Sequence, residues 1–182
     1  MGQPKALLAL GGETMLERQI RLLLTVARSV AVLGSHPGFV GLDVAAIPDE
    51  GPDRGPLGGL YTGLRRTRTE FNLFLSCDLP FMQARFLDYL CRRALSSQAQ
   101  VTLPRSADGL YHPLCAVYRR RGLGAIRKSL AAGDNQIGRV LSRLRCEVIP
   151  WGAIARARFP ARIFDNMNSP EGYEAAKAAL GS

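Results

Sequence analysis

At 182 residues, 47% of them hydrophobic and 21% charged, the chain has the size and balance of one globular domain, spanning 1–182, that buries its core without disulfide or metal staples. Apolar runs such as "ALLAL" and "FNLFL" are too short to cross a bilayer, and no basic-then-apolar leader precedes a small-residue cleavage site, so a cytoplasmic protein with no membrane partner is expected. Its 24 Lys and Arg against 15 Asp and Glu give a net charge of +9, which suits an acidic partner (a nucleotide, a phosphorylated small molecule or nucleic acid) without choosing among them.

The opening "MGQPKALLAL" sets Gly2, Pro4 and Lys5 before an apolar run, which reads as the end of a loop followed by a strand. "ETMLERQIRLLLTVA" carries apolar residues at helical spacing from Thr14 onward. "SVAVLG" and "LDVAAIPD" predict short strands, "EGPDRGPLGG" a loop, and residues 60–68 a helix. "FNLFLSC", apolar on both faces, predicts a buried strand, and "ARFLDYLCRRAL" an amphipathic helix. "QVTLP", "YHPLCAVY", "CEVIP" and "ARIFDN" read as strands, while "RGLGAIRKSLAAG" and "QIGRVLSRL" read as helices. "SPEGYEAAKAAL" places Ser169 as N-cap with Pro170 at the first helical position. Helices alternating with apolar strands imply an α/β layered fold with a mostly parallel sheet.

Cys77, Cys91, Cys115 and Cys146 form no C-x-x-C pair, which excludes a zinc knuckle and a secreted disulfide framework. The basic residues are not interleaved with aromatics and sit in no recognition-helix motif, so nucleic acid is not the expected partner.

Three loops at strand ends hold candidate chemistry, since ligands of open α/β sheets bind beyond the carboxyl ends of the strands. In "LSCDLPFM", Asp78 follows an apolar strand and Pro80 turns the chain away; the carboxylate suits a hard cation such as Mg²⁺, or else caps a turn. In "DEGPDRGPLGGL", Gly58 and Gly59 before a helix allow close backbone approach to a negative ligand, with Asp49 and Arg54 framing the loop; ordinary loop architecture reads the same way. At the start, Lys5 beside Gly2 and Pro4 offers a cation for a transferring phosphoryl group, or is one more surface lysine. His112 reads either as a packed core histidine or as a site residue. Asn166 and Asn168, one residue apart, are turn and cap residues by default, yet they share one side of an extended segment and could grip a ligand with amide-like edges.

In this order, "MGQPKALLAL", "GPLGGL", "LSCDLPFM", "YHPLCAVY" and "FDNMNSPEGYEAA" resemble the successive signatures of the molybdenum cofactor guanylyltransferases, nucleotidyltransferases with a Rossmann-like three-layer sheet. The resemblance runs from residue 1 to about 176. It implies transfer of GMP from Mg-GTP to the terminal phosphate of molybdopterin, with pyrophosphate released and no protein nucleophile. Carried over residue by residue, it implies Gly2, Lys5, Asp49, Gly58, Gly59 and Asp78 on the nucleotide, Lys5 and Asp78 in catalysis, and Asp78 as the Mg²⁺ ligand. His112, Pro113, Asn166 and Asn168 fall on the cofactor side. The partners implied are GTP, molybdopterin and, transiently, cofactor-delivery proteins or molybdoenzymes, with the enzyme itself a monomer. A CTP-using or sugar-phosphate relative, and a non-catalytic cofactor-binding module, are the alternatives.

Two departures qualify the resemblance. Leu33 stands where some relatives carry an Asn. Relatives also begin with an apolar strand and an L-A-G-G-x-[ST]-x-R-M-G loop, whereas here Met1 falls on the Met of that motif; "LALGG" at 8–12 lies after Lys5 and does not replace it. A reading frame extending upstream of Met1 is therefore expected to supply an internal strand and part of the phosphate cradle.

Overall fold

The computed structural model describes residues 4–34, 43–50 and 54–180. The apolar run after Lys5 does not form one strand. Pro4 starts a 3₁₀ turn over Lys5–Leu7, and the chain then enters a two-residue strand β1 (Ala9–Leu10) paired with β2 (Glu13–Thr14). Gly11 and Gly12 take φ of 63° and 83° between them, the left-handed pair that a tight hairpin requires. A Cβ on Gly11 would also lie 2.7 Å from the Leu180 carbonyl oxygen, so the C-terminal helix packs directly on this turn.

Helix α1 (Met15–Leu24) starts where Thr14 and Glu17 form a reciprocal capping box, each side chain satisfying the other's backbone N–H. Next come β3 (Ala31–Leu33) and β4 (Ala45–Ile47), paired in parallel, and α2 (Gly55–Arg66). After them run β5 (Phe71–Leu75), α3 (Ala84–Ser96), β6 (Val101–Pro104), β7 (Cys115–Arg119), α4 (Leu123–Ala131), α5 (Ile137–Leu141) and β8 (Cys146–Ile149). The chain ends with α6 (Trp151–Arg156), a 3₁₀ segment Ala161–Phe164 and α7 (Pro170–Leu180). The order of the larger sheet is β5-β7-β6-β8, with β7 antiparallel to both neighbours and β6 parallel to β8. Three of its four strands thus run one way, and β7 alone reverses.

Period-two alternation divides the core between the two faces of this sheet. On β7, Cys115 and Val117 pack with α3 and α6 through Phe86, Leu87, Leu90 and Ile154. Ala116 and Tyr118 face the other way, onto Leu57, Leu60 and Leu64 of α2 and Ile126 of α4. Phe86, Leu87 and Leu90 are wholly buried, each contributing ~1.5–3 kcal/mol of transfer free energy. Helices on both faces of a mostly parallel sheet make this a Rossmann-like three-layer fold.

Several local expectations change. Helix α2 begins at Gly55, not near residue 60, because Pro56 fits the first helical turn; Gly58 and Gly59 are helical rather than in a loop. "ARIFDN" is a 3₁₀ segment, since Pro160 opens it and no strand edge lies alongside. His112 and Pro113 precede β7 in a turn instead of lying on it. Helix α6, whose "WGAIAR" lacks a cap signal, has no counterpart among the predicted elements.

The β3–β4 pair and the larger sheet are not joined by a ladder among the described residues. Yet they lie side by side under α2: a Cβ on Gly63 would meet Phe74 of β5 at 2.7 Å and Leu33 of β3 at 3.1 Å. Between them is a cavity of about 840 Å³, lined by residues of β3 and β5, by Leu23 of α1 and Leu95 of α3, and by Val26 in the turn after α1. All five residues of β5 are only partly buried, because one edge faces this cavity. No helix of the described residues is long and apolar enough to cross a membrane.

Candidate active site

Strand β5 delivers its chemistry at its carboxyl end. Ser76 N–H still pairs with the Leu114 carbonyl at 2.7 Å, after which residues 77–78 turn out of the sheet. The half-buried Asp78 is held from behind, where its carbonyl accepts the Met167 N–H at 2.9 Å. Among the described residues its carboxylate belongs to no ion pair. Burial, with the Asp78 charge beside it, pushes the adjacent Cys77 thiol up, so this cysteine is a neutral packing group.

The bond to Met167 also fixes the two asparagines. Met167 is wholly buried with Leu10, Met15 and Ala176, so Asn166 and Asn168 on either side of it point outward together, as an extended segment demands. Ser169 accepts the Gly172 N–H at 3.2 Å and so caps α7 immediately beyond them. Lys5 Nζ donates to Asn168 Oδ1 at 2.7 Å, closing a contact between residues 163 apart in sequence.

His112 stands on the other side. Its backbone N–H donates to the Pro104 carbonyl at 3.2 Å, and its ring stacks on Phe164 at 4.4 Å with 20° between planes. Phe164 is itself locked edge-on against Phe86 at 5.3 Å, which makes the platform part of the core. Burial pulls the imidazole below its ordinary pKa, while the charges of Asp108 and Asp78 pull it the other way. The Pro113 carbonyl accepts the Tyr118 hydroxyl at 2.9 Å and thereby pins the turn to β7.

Asp49, Gly58 and Gly59 gather at the start of α2. Asp49 Oδ1 lies 3.9 Å from where a Gly59 Cβ would stand, so the carboxylate rests over bare helix backbone. Neighbouring Glu50 anchors the loop through Thr62 Oγ1 at 3.1 Å, Arg66 at 3.0 Å and Arg65. Among the described residues no side chain caps the amino end of α2; Pro56 has no N–H and the Gly58 N–H pairs with the Arg54 carbonyl at 3.2 Å, which leaves the N–H groups of Gly55 and Leu57 to face an anion. Gly2 lies outside the described residues. Lys5, Asp78, His112, Asn166 and Asn168 therefore form one group, and Asp49, Gly58 and Gly59 a second.

No three His, Cys, Asp or Glu side chains among the described residues stand close enough to cage a metal. Asp78 fits a hard cation that fills the rest of its shell with phosphate and water oxygens. The sequence reading had no signal for Ser106 and Phe164, which touch His112; Phe164 becomes a platform only through tertiary packing.

The fold and this crevice define a nucleotidyltransferase. Molybdopterin-guanine dinucleotide biosynthesis protein A of Archaeoglobus fulgidus superposes with a TM-score of 0.83 over 98% of this chain and 91% of its own, at 17% identity. The 2-C-methyl-D-erythritol 4-phosphate cytidylyltransferase of Thermus thermophilus superposes with a TM-score of 0.72 over 98% and 94%, at 18% identity. In sequence, residues 1–148 match the MobA-like NTP transferase domain, and the chain belongs to that family. It is 30% identical to the molybdenum cofactor guanylyltransferase of Desulfosudis oleivorans over 98% of this chain and 88% of that one. It is also 30% identical to a probable molybdenum cofactor guanylyltransferase of Chloroflexus aggregans, over 100% and 89%.

Proposed function

We propose that this enzyme transfers GMP from GTP to the terminal phosphate of molybdopterin. An acceptor phosphate oxygen bonds to the α-phosphorus, the bond from that phosphorus to the bridging oxygen breaks, and pyrophosphate leaves with the electron pair. The observation that carries the reading is the Lys5–Asn168 hydrogen bond combined with the Met167–Asp78 bond, which joins a cation, a free carboxylate and the paired asparagines at one strand end. The names of the two relatives at 30% identity supply the substrate class.

In this reading Lys5 offsets charge on the nucleotide phosphates, and Asp49 with Gly58 and Gly59 receives the guanine nucleotide at the start of α2. Asp78 would hold a Mg²⁺ ion, which when bound would supply charge neutralisation at the phosphates. His112, Pro113, Asn166 and Asn168 orient the acceptor, so catalysis is positioning plus electrostatics. The protein acts as a cytoplasmic monomer that hands its product to molybdoenzymes or delivery proteins.

The cavity between β3 and β5 fits an extended apolar segment parallel to β5. Such a segment of five residues spans ~17 Å and would pair with both free edges. We propose that it precedes Met1 in the active protein, since Ala6, just after Pro4, lines the cavity together with Ser76 and Cys77 at its carboxyl end. Its following loop would complete the phosphate cradle. The open cavity also favours a second reading for residues 1–182 alone, a cofactor-binding module without transfer chemistry.

Pyrophosphate release with molybdopterin present, measured with GTP and with CTP on an upstream-extended chain, tests the proposal. Preference for GTP is expected; equal or greater release with CTP replaces it with a cytidylyl transfer, and release from neither leaves the binding module.

A further inference from the structure

The turn before β7 carries a hydrogen-bond chain that the proposed reaction does not by itself call for. Ser106 is buried, and its Oγ stands 2.8 Å from His112 Nε2, 2.5 Å from Asp108 Oδ1 and 3.1 Å from the Leu110 carbonyl. A hydroxyl has one proton to give. The Asp108 carboxylate and the Leu110 carbonyl can only accept, and the short Ser106–Asp108 separation requires a proton between the two oxygens. That hydrogen bond also holds the Asp108 carboxyl below its usual range, so Asp108 stays an acceptor. Ser106 therefore donates toward Asp108, and the remaining contact is satisfied only if His112 Nε2–H donates to Ser106 Oγ.

The consequence falls on the opposite ring nitrogen. With the proton on Nε2, Nδ1 carries a lone pair, and it has no partner among the described residues. We infer that Asp108 and Ser106 are positioning residues that lock His112 in the Nε2–H tautomer, so that Nδ1 accepts a hydrogen bond from an N–H group on the acceptor's heterocycle rather than contacting a phosphate. The second half of this inference rests on the reading of His112 as an acceptor-side residue; the tautomer itself does not. The Phe164 stack fixes the plane in which that lone pair points. Desolvation of the half-buried ring supports the neutral form. A histidinium there would present two donors and recognise phosphate instead.

The test uses the full chain with ¹⁵N-labelled histidine. Only His36 and His112 contribute signals, and His112→Gln assigns them. Long-range ¹H–¹⁵N correlation spectra of the unliganded protein at neutral pH are expected to show His112 protonated on Nε2. Ser106→Ala should give a mixture of tautomers, and Ser106→Thr, which keeps the hydroxyl, should restore the single form. An Nδ1–H tautomer in the parent protein, or an unchanged single tautomer in Ser106→Ala, overturns the lock.

Adding a simple pterin should shift the Nδ1 resonance, whereas inorganic phosphate at the same concentration should not. A shift with phosphate, or with neither, overturns the donor-recognition half. In the GMP-transfer assay, Ser106→Ala is expected to raise the acceptor KM about tenfold and leave the GTP KM unchanged, with Ser106→Thr near the parent value. Absence of transfer in the parent protein would sink the proposed function while the spectra still decide the tautomer.

Discussion

The two halves of the crevice are built to different standards. On the proposed acceptor side the groups are backed by core, since Asn166 and Asn168 flank buried Met167 and His112 rests on Phe164, while Asp78, where the two halves meet, is tied by its own carbonyl. On the nucleotide side, Asp49 lies beside the Gly59 backbone of α2, and β3 and β4 form a two-stranded ribbon, among the described residues, beside a cavity of about 840 Å³. A two-stranded ribbon is marginal unless neighbours cover it. Among the described residues the acceptor half is thus the more firmly supported of the two.

The largest expected effect breaks this contrast at the point where the halves meet. In an upstream-extended chain, Asp78→Ala should lower kcat for GMP transfer by about a thousandfold with the thermal transition intact, because it removes the carboxylate proposed to hold the metal. Pyrophosphate release and a melting curve measure the two parts, and a retained rate would remove Asp78 from the chemistry.

Next in size is a disruption confined to the well-packed half. Phe86→Ala, which strips the support from Phe164 as well as opening the core, should cost about 3–5 kcal/mol in urea unfolding. A cost under about 1 kcal/mol would show that this half is looser than its packing implies.

Filling the cavity sharpens the contrast from the other side. Extending the chain upstream with an apolar strand should raise the melting temperature by several degrees and protect β3 and β5 amides from hydrogen exchange. Unchanged exchange at Ala31–Leu33 and Phe71–Leu75 would show that the cavity takes no strand.

Lys5→Ala probes the bond that bridges the site and the N-terminal turn. Because its ammonium is held by Asn168, both the GTP and the acceptor KM should rise, each by about three- to tenfold, a loss of ~1 kcal/mol apiece. A change in the GTP KM alone would mean the Asn168 contact is broken when nucleotide binds. The smallest effect should come from Thr14→Ala, which removes the α1 capping box, a group with no assigned part in the chemistry, and should cost ~1 kcal/mol of stability with kcat unchanged.

Much of this was legible before any coordinates. The α1 helix followed from apolar spacing after Thr14, and the α7 start from Ser169 and Pro170, because spacing and caps are local chemistry. The β5 and β7 strands followed from short apolar runs. Asp78 could be placed at a strand's end because Pro80 follows it. What failed were the places where a neighbour decides. "ALLAL" has strand composition, but it finds a partner only at Ala9–Leu10, so the rest curls into a 3₁₀ turn. "ARIFDN" has no ladder to join and folds as a 3₁₀ segment that supplies the Phe164 platform.

The sequence by itself determined the α/β class, the order of its motifs and the residue types gathered for phosphoryl chemistry, since periodicity, capping and turn signals act within a few residues of one another. Tertiary structure alone decided which of those residues meet. Lys5 reaches Asn168 across 163 positions, the His112 ring lands on Phe164, and two strand edges face each other across an open slot. Those outcomes depend on layers packing around β7, a non-local event that no window of sequence contains.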